Sequence, residues 1–192
     1  LPPNPDALQR WSSAPVQYCI ATAESGYVAD DEFPALVARA FATWGMGSLG
    51  RVWETSTGRL LYERQHDQTC HDVRFSRDGD LLASMSMDGT ATVGKSQTGE
   101  VLARLPHPDW VFTAAFSRDG RWLLTACRDR MARLWDWKRG LLICPAMEHK
   151  DEVFGVAFAD DERAILTCGR DHSAQFWDSF TCKPVARPIK LP

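Results

Sequence analysis

Several residue types return along the chain with one spacing of 41 or 42 residues, and this period limits the fold more than any other feature. Histidine returns at His66, His107 and His149, and aspartate returns at Asp88, Asp129 and Asp171. A hydroxyl residue stands four positions before each aspartate, and six positions after it come Gly94, Trp135 and Trp177. A period of this length is typical of a repeat protein, in which each unit is one supersecondary element stacked on its neighbours.

The residues inside one unit predict four short strands. In the second complete unit the apolar runs are Val111–Phe116, Arg121–Cys127, Met131–Trp135 and Leu141–Cys144. They are nearly continuous, as expected for strands that are covered on both faces. The turn after the first strand ends in glycine in two units, whereas the third unit has Glu162 there, which predicts a strained turn. A four-stranded unit of about 41 residues is typical of a β-propeller blade, so we predict an all-β fold.

The chain before His66 keeps only part of the pattern. Thr43 falls at the hydroxyl position and Trp53 at the tryptophan position, but Gly47 replaces the aspartate. We therefore predict a degenerate blade over 38–65, with strands over 39–44, 51–54 and 60–63, and complete blades over 66–106, 107–148 and 149–192. Residues 1–37 do not fit the period, and we expect an irregular acidic arm with one strand around 16–22.

The repeat resembles the WD-repeat family. The resemblance rests on Ala132–Asp136 and Ala174–Asp178, on the upstream histidines, and on the Phe-Ser-x-Asp-Gly turns. It departs from the family where glycine usually precedes the histidine, since Gln65, Pro106 and Glu148 stand there. It implies a partial β-propeller of about four four-stranded antiparallel blades, the first one degenerate. Closed propellers usually have four to eight blades and WD-type rings commonly have seven, so we expect an open arc.

Two units bring a histidine, a hydroxyl residue, an aspartate and a tryptophan into phase: His107, Thr125, Asp129 and Trp135, and then His149, Thr167, Asp171 and Trp177. Three of these types also form hydrolase triads, but a triad occurs once in an enzyme and this set occurs twice. The indole N–H donates, the hydroxyl and the neutral imidazole donate and accept, and the carboxylate accepts. We therefore predict structural tetrads in which each aspartate accepts a hydrogen bond from its histidine.

Aromatic and charged residues recur where WD-type propellers usually dock their partners, the rim made by the loop into the first strand and by the turn between the second and third strands. The residues in these slots are Met87, Trp110, Phe112, Arg128, Glu152, Phe154 and Arg170. Exposed aromatic and arginine side chains are enriched at the centres of protein interfaces. We predict that this rim binds protein. Packing between blades is the alternative role of the aromatic residues, and His172 is expected to be a solvated turn residue.

Composition excludes several other classes of function. The net charge of −3 does not indicate a nucleic-acid surface, and no run approaches the roughly 20 apolar residues of a membrane span. No motif predicts a catalytic residue, a cofactor or a metal ligand. The six cysteines have no metal-site spacing, so we predict reduced core residues and a cytoplasmic location; they are Cys19, Cys70, Cys127, Cys144, Cys168 and Cys182.

We therefore predict a protein–protein interaction scaffold rather than an enzyme. The alternative is the sensor or targeting part of a larger signalling enzyme, because Thr-Gly before the last strand and Pro106 or Pro145 before the next histidine resemble repeats fused to bacterial Ser/Thr kinases. An enzyme that uses the central channel has no support in the residues. An open arc exposes apolar sheet faces, so we also expect self-association or blades supplied by a longer chain.

Overall fold

A computed structural model of the chain describes residues 21–22, 40–44, 48–54, 57 and 59–191. Within these ranges the regular elements are strands, and they form four sheets that we call blades I to IV. Blade I contains β1 Ala21–Thr22, β2 Ala40–Trp44, β3 Leu49–Glu54 and β4 Leu60–Gln65. Blade II contains β5 Cys70–Phe75, β6 Leu81–Ser86, β7 Thr90–Lys95 and β8 Val101–Pro106.

The two remaining blades follow the same order. Blade III contains β9 Val111–Phe116, β10 Trp122–Cys127, β11 Met131–Asp136, β12 Leu141–Leu142 and β13 Met147–Glu148. Blade IV contains β14 Val153–Phe158, β15 Ala164–Gly169, β16 Ser173–Asp178 and β17 Ile189–Lys190. In the part of the chain described, no helix is long and apolar enough to span a bilayer.

Neighbouring strands of a blade pair antiparallel in chain order, with two departures. In blade I the short β1 pairs parallel with β2. In blade III the predicted strand 141–144 is shorter, since β12 ends at Leu142, and a second piece beyond it, β13, also pairs with β11. Pro145 lies between these two pieces and has no N–H to donate to a ladder, which accounts for the break. Apart from β1, the predicted arm over 1–37 lies outside the described residues.

The core lies between consecutive blades. Each sheet has a forward face, which packs on the following blade, and a backward face, which packs on the preceding one. The forward face of blade III (Leu124, Ala126, Ala132, Leu134 and Met147) packs against Val153, Ile165 and Trp177 of blade IV. The same arrangement joins blade II to blade III. Strand packing joins consecutive blades, and the four described sheets form an open arc, as the repeat predicts.

The turn that lacks glycine in blade IV is strained, as predicted. Gly79 and Gly120 adopt φ of 75° and 67°, and Glu162 adopts φ of 56° at the equivalent position. This left-handed region is costly for residues with a Cβ atom. The turn between the second and third strands shows the same effect. Its left-handed position is Gly89 in blade II, but it is Arg130 in blade III and His172 in blade IV, and all three have positive φ. His172 is exposed in this turn.

The prediction that every cysteine is a reduced thiol is wrong for two of them. Cys144 and Cys182 form a disulfide with Cα atoms 6.0 Å apart, which joins blade III to the turn before β17 in blade IV. The residues that stand one period away from Cys144 and Cys182 are not cysteines, so the repeat does not predict this disulfide. Cys70, Cys127 and Cys168 are free, and burial raises the pKa of the Cys127 thiol to about 11. The thiol argument for a cytoplasmic location does not extend to the bonded pair.

Candidate functional site

One backbone hydrogen bond, repeated in three blades, builds the rim predicted from the sequence. The N–H of Arg128 donates to the carbonyl of Trp110 at 2.9 Å, and the N–H of Arg170 donates to that of Glu152 at 2.8 Å. The N–H of Met87 makes the equivalent bond in blade II. Each bond holds the loop into the first strand beside the turn between the second and third strands. The rim, as we use the term below, is Met87, Trp110, Phe112, Arg128, Glu152, Phe154 and Arg170.

Four rim residues form one continuous series of contacts across blades III and IV. The Arg128 guanidinium carbon lies 4.6 Å from the centre of the Trp110 ring, a cation–π arrangement. Arg128 Nε donates to Glu152 Oε1 at 3.1 Å, and Arg170 Nη1 donates to Glu152 Oε2 at 2.9 Å. Asp109, which the sequence argument did not single out, lies 3.8 Å from Arg128 Nη1. One carboxylate therefore accepts hydrogen bonds from two arginines, and one of these, Arg128, also stacks on an aromatic ring.

The other rim residues lie beside this series. The Phe112 ring contacts His71 edge to face at 5.2 Å, and the Phe112 carbonyl lies 3.1 Å from His71 Nδ1. Phe154 stands one period after Phe112 and is 51% exposed. Met87 is half-buried on blade II, where its backbone N–H donates to the Thr69 carbonyl. The ion pairs and the cation–π contact of the rim lie at blades III and IV.

The predicted tetrad is complete in blade IV. The Trp177 indole donates to Thr167 Oγ1 at 2.7 Å, and the Thr167 hydroxyl lies 2.6 Å from His149 Nε2. His149 Nδ1 lies 3.3 Å from Asp171 Oδ2, so the imidazole can donate from Nδ1 to the carboxylate, which closes the predicted tetrad. Hydrogen bonds from Ser173 and Lys150 lower the pKa of the Asp171 carboxyl despite its partial burial.

The tetrad of blade III differs from the prediction at one bond. Trp135 donates to Thr125 at 3.0 Å, and Thr125 lies 2.9 Å from His107 Nε2, as in blade IV. However, His107 Nδ1 lies 3.0 Å from the Leu105 carbonyl oxygen, and Asp129 is bonded to both terminal nitrogens of Arg133. A guanidinium is a permanently charged, two-pronged donor, so it outcompetes a neutral imidazole for the carboxylate.

Blade II fills its missing tryptophan position with an arginine from blade I. His66 Nε2 lies 3.0 Å from Ser84 Oγ, which matches the first bond of the other tetrads. A Cβ atom on Gly94 would collide with Arg64 Nη2 and with the Glu100 carbonyl oxygen at 2.6 Å. Arg64 is buried, and burial lowers the pKa of its guanidinium.

The tetrads do not present a reactive hydroxyl. Thr125 and Thr167 have no exposed surface, and each accepts a hydrogen bond from an indole. Burial lowers the pKa of His107 to about 4, so its imidazole is neutral near pH 7. Among the residues described, no group of three or more His, Cys, Asp or Glu side chains could hold a metal ion. In both blades the hydroxyl of the tetrad is paired with the indole and with the imidazole.

Comparison with known proteins places these features in one family. The family model described as "WD domain, G-beta repeat" matches residues 58–93, 99–136 and 143–178, more than half of the chain. Over 71 residues the chain is 41% identical to the human cilia- and flagella-associated protein 52, a stretch that covers 36% of this chain and 11% of that protein.

Two solved structures of designed proteins share the fold. The chain superposes on the computationally designed Ika8 protein with a TM-score of 0.71 and 19% identity, over 80% of this chain and 47% of that one. It superposes on the computationally designed Ika4 protein with a TM-score of 0.66 and 23% identity, over 73% of this chain and 85% of that one. The chain thus spans about half the length of Ika8 and about a tenth of that of the human relative.

Proposed function

This chain belongs to the WD domain, G-beta repeat family, and we propose that it is a non-enzymatic scaffold that binds another protein through the rim. WD repeats in general mediate protein–protein interaction, and the proposal assigns that role to particular residues. The repeat and its tetrads provide a rigid frame, while the rim supplies the exposed side chains that differ from blade to blade.

The observation that carries this proposal is the series from Trp110 through Arg128 and Glu152 to Arg170. Arginine and tryptophan dominate interface energetics when they are held in place before a partner arrives, because less conformational entropy is then lost on binding. Glu152 provides that order, since it accepts hydrogen bonds from both guanidiniums. Phe154 adds an exposed ring two residues after Glu152, and the backbone bonds from Arg128 and Arg170 hold the loops in register.

A paired substitution tests the rim. We expect Trp110→Ala combined with Arg170→Ala to abolish capture of the partner protein while the melting temperature stays close to that of the wild type. Arg139→Ala combined with Leu141→Ala is the matched control, because both residues are exposed on blade III away from the rim. Photo-crosslinking groups at Phe154 and at Leu141 identify the partner directly. Capture that survives the rim substitutions, or crosslinks at Leu141 alone, would place the interface elsewhere.

The alternative, that the blades are the sensor or targeting part of a larger signalling enzyme, remains a prediction from repeat style. This alternative predicts a different effect of the rim substitutions. A kinase or ATPase domain encoded in the same reading frame would support it, and the same rim variants would then change the regulation of that domain rather than capture of a separate protein.

A further inference from the structure

The outer strand of one blade and the last turn of the next blade meet at one pair of positions, and this pair differs from junction to junction. Between blades I and II the pair is Tyr62 and Gly99, where a Cβ atom added to the glycine would lie 2.6 Å from Tyr62 Cδ2. The equivalent residues of blades II and III are Ala103 and Gly140, one period later. Among the described residues, nothing lies within 4 Å of a Cβ atom added to Gly140. Close packing therefore fills the first junction, and the second has free space at its glycine.

The third junction carries a covalent bond at this pair of positions. Cys144 and Cys182 stand there, and their disulfide joins blade III to blade IV with Cα atoms 6.0 Å apart. Cys182 adopts φ of 50°, whereas Gly99 and Gly140 adopt φ of 74° and 66° at the equivalent position. This left-handed region is costly for a residue with a Cβ atom. The turn itself therefore favours glycine, and the bond to Cys144 accounts for the cysteine.

Hydrogen bonds that do not involve sulfur hold the backbone beside both cysteines. In the turn of blade IV, the Cys182 N–H donates to the Asp178 carbonyl at 2.8 Å, and the Thr181 N–H donates to Asp178 Oδ1 at 2.8 Å. In blade III, the Ile143 N–H donates to the Leu134 carbonyl at 2.9 Å. These bonds remain when the disulfide is reduced, so the two thiols stay close enough to bond again.

The bonded pair is also the favoured place for thiol–disulfide exchange among the described cysteines. Cys144 is half-buried at the outer edge of blade III, whereas Cys182 is 8% exposed, so a small thiol reaches the bond from the side of Cys144. Burial raises the pKa of the three free thiols, which are Cys70, Cys127 and Cys168. A raised pKa suppresses the thiolate, which is the form that reacts.

We propose that Cys144 and Cys182 form a reversible thiol–disulfide switch that fastens residues 179–191 of blade IV to blade III when oxidised. In the reduced form hydrogen bonds and packing alone hold this segment, and it opens more often. The proposal does not depend on the rim.

The oxidant is a small disulfide such as oxidised glutathione. The Cys144 thiol loses its proton to water and attacks one sulfur of oxidised glutathione, which forms a mixed disulfide and releases one glutathione thiolate. The Cys182 thiol then loses its proton, attacks the Cys144 sulfur and releases the second glutathione thiolate. The two released thiolates take up the two protons. Two electrons thus pass from the two protein thiols to one glutathione disulfide, and an excess of reduced glutathione reverses both steps.

Glutathione buffers of different reduced-to-oxidised ratios at pH 7 test the switch on the full chain. Free thiols are trapped with N-ethylmaleimide and located by peptide mass spectrometry, and hydrogen exchange is measured on the same samples. We expect the bond between Cys144 and Cys182 to form and break as the ratio is changed in either direction, while the chain stays folded. Exchange over 179–191 should be at least about tenfold faster in the reduced form, because the cross-link no longer limits local opening.

Cys182→Gly is the matched variant, because it removes the bond and supplies the residue that stands at this position in blades II and III. It should fold and should exchange like the reduced wild type at every glutathione ratio. Cys168→Ser should respond like the wild type. A bond that breaks only when the chain unfolds overturns the proposal, since it would then be a permanent cross-link. A pair that stays reduced in oxidised glutathione also overturns it, as does exchange over 179–191 that is the same in both redox forms.

Discussion

His107 lies inside blade III with its imidazole in the neutral form, and this makes the stability of the chain depend on pH. Its pKa is about 4 in the folded chain and about 6.5 when unfolded. Well above pH 6.5 neither state is protonated, and His107 then contributes nothing to the pH dependence. As the pH falls from 6.5 toward 4, the unfolded chain takes up a proton that the folded chain does not, so the free energy of unfolding decreases.

We therefore expect His107→Gln to be less sensitive to acid than the wild type. Between pH 6.5 and 5 the wild type should lose about 1–2 kcal/mol more stability than the variant, because each unit of pKa difference is worth about 1.4 kcal/mol. Urea unfolding at several pH values measures this difference. The pKa of His66 is also lowered by burial, but His66 is present in both proteins. Its contribution therefore cancels when the pH dependence of the wild type is compared with that of the variant. Parallel pH profiles for the two proteins would show that His107 is not the titrating group.

The tetrads show how far residue types alone can predict bonds. Counting donors and acceptors predicted the indole-to-hydroxyl and hydroxyl-to-imidazole bonds, because buried polar groups must be paired. It failed at Asp129 because Arg133, four residues on, offers a stronger donor. The signal was in the sequence, since blade IV has Gln175 at the equivalent position and keeps the bond between Asp171 and His149.

At the scale of the element, blade II shows how one residue that departs from the repeat changes the packing between blades. Gly94 stands at the tryptophan position, and Arg64 of β4 occupies the space from the neighbouring blade. Arg64 Nη2 reaches the Gly99 carbonyl at 3.4 Å, while Nε and Nη1 are buried with no partner among the described residues. The sequence shows glycine where the other two blades have tryptophan, but it does not show what takes that space, because Arg64 comes from the degenerate blade.

We expect Arg64→Met to raise the free energy of unfolding by about 1–2 kcal/mol, because Met keeps most of the volume and removes buried donors that are left unpaired. Arg64→Ala is the matched comparison. It should lower the stability, since it leaves a void beside Gly94. Urea unfolding of the three proteins at pH 7 gives both differences. A loss of stability in Arg64→Met as large as that in Arg64→Ala would mean that the guanidinium makes a stabilising interaction there.

At the scale of the whole molecule, an open arc has an interior and two ends. Each blade packs on its immediate neighbours, so stability behaves as a sum of blade and interface contributions, as in other repeat proteins. Blade III is covered on both faces, whereas the forward face of blade IV is open. The disulfide between Cys144 and Cys182 ties this end blade to blade III. The period of 41 or 42 residues predicted the open arc but not the disulfide, because the two cysteines do not belong to the repeat.

This arrangement predicts a gradient of hydrogen exchange along the chain. Protection should be highest in β10 and β11, and exchange should be faster over 90–94 than over 131–135, because an arginine with unpaired donors replaces the indole there. Reducing the disulfide should accelerate exchange in β16 and β17 and leave β10 nearly unchanged, since closing a chain segment of 38 residues is worth about 4 kcal/mol. Cys144→Ser combined with Cys182→Ser is the control, and it should not respond to reductant. Equal protection in all blades, with or without the disulfide, would instead show that the arc unfolds as a single cooperative unit.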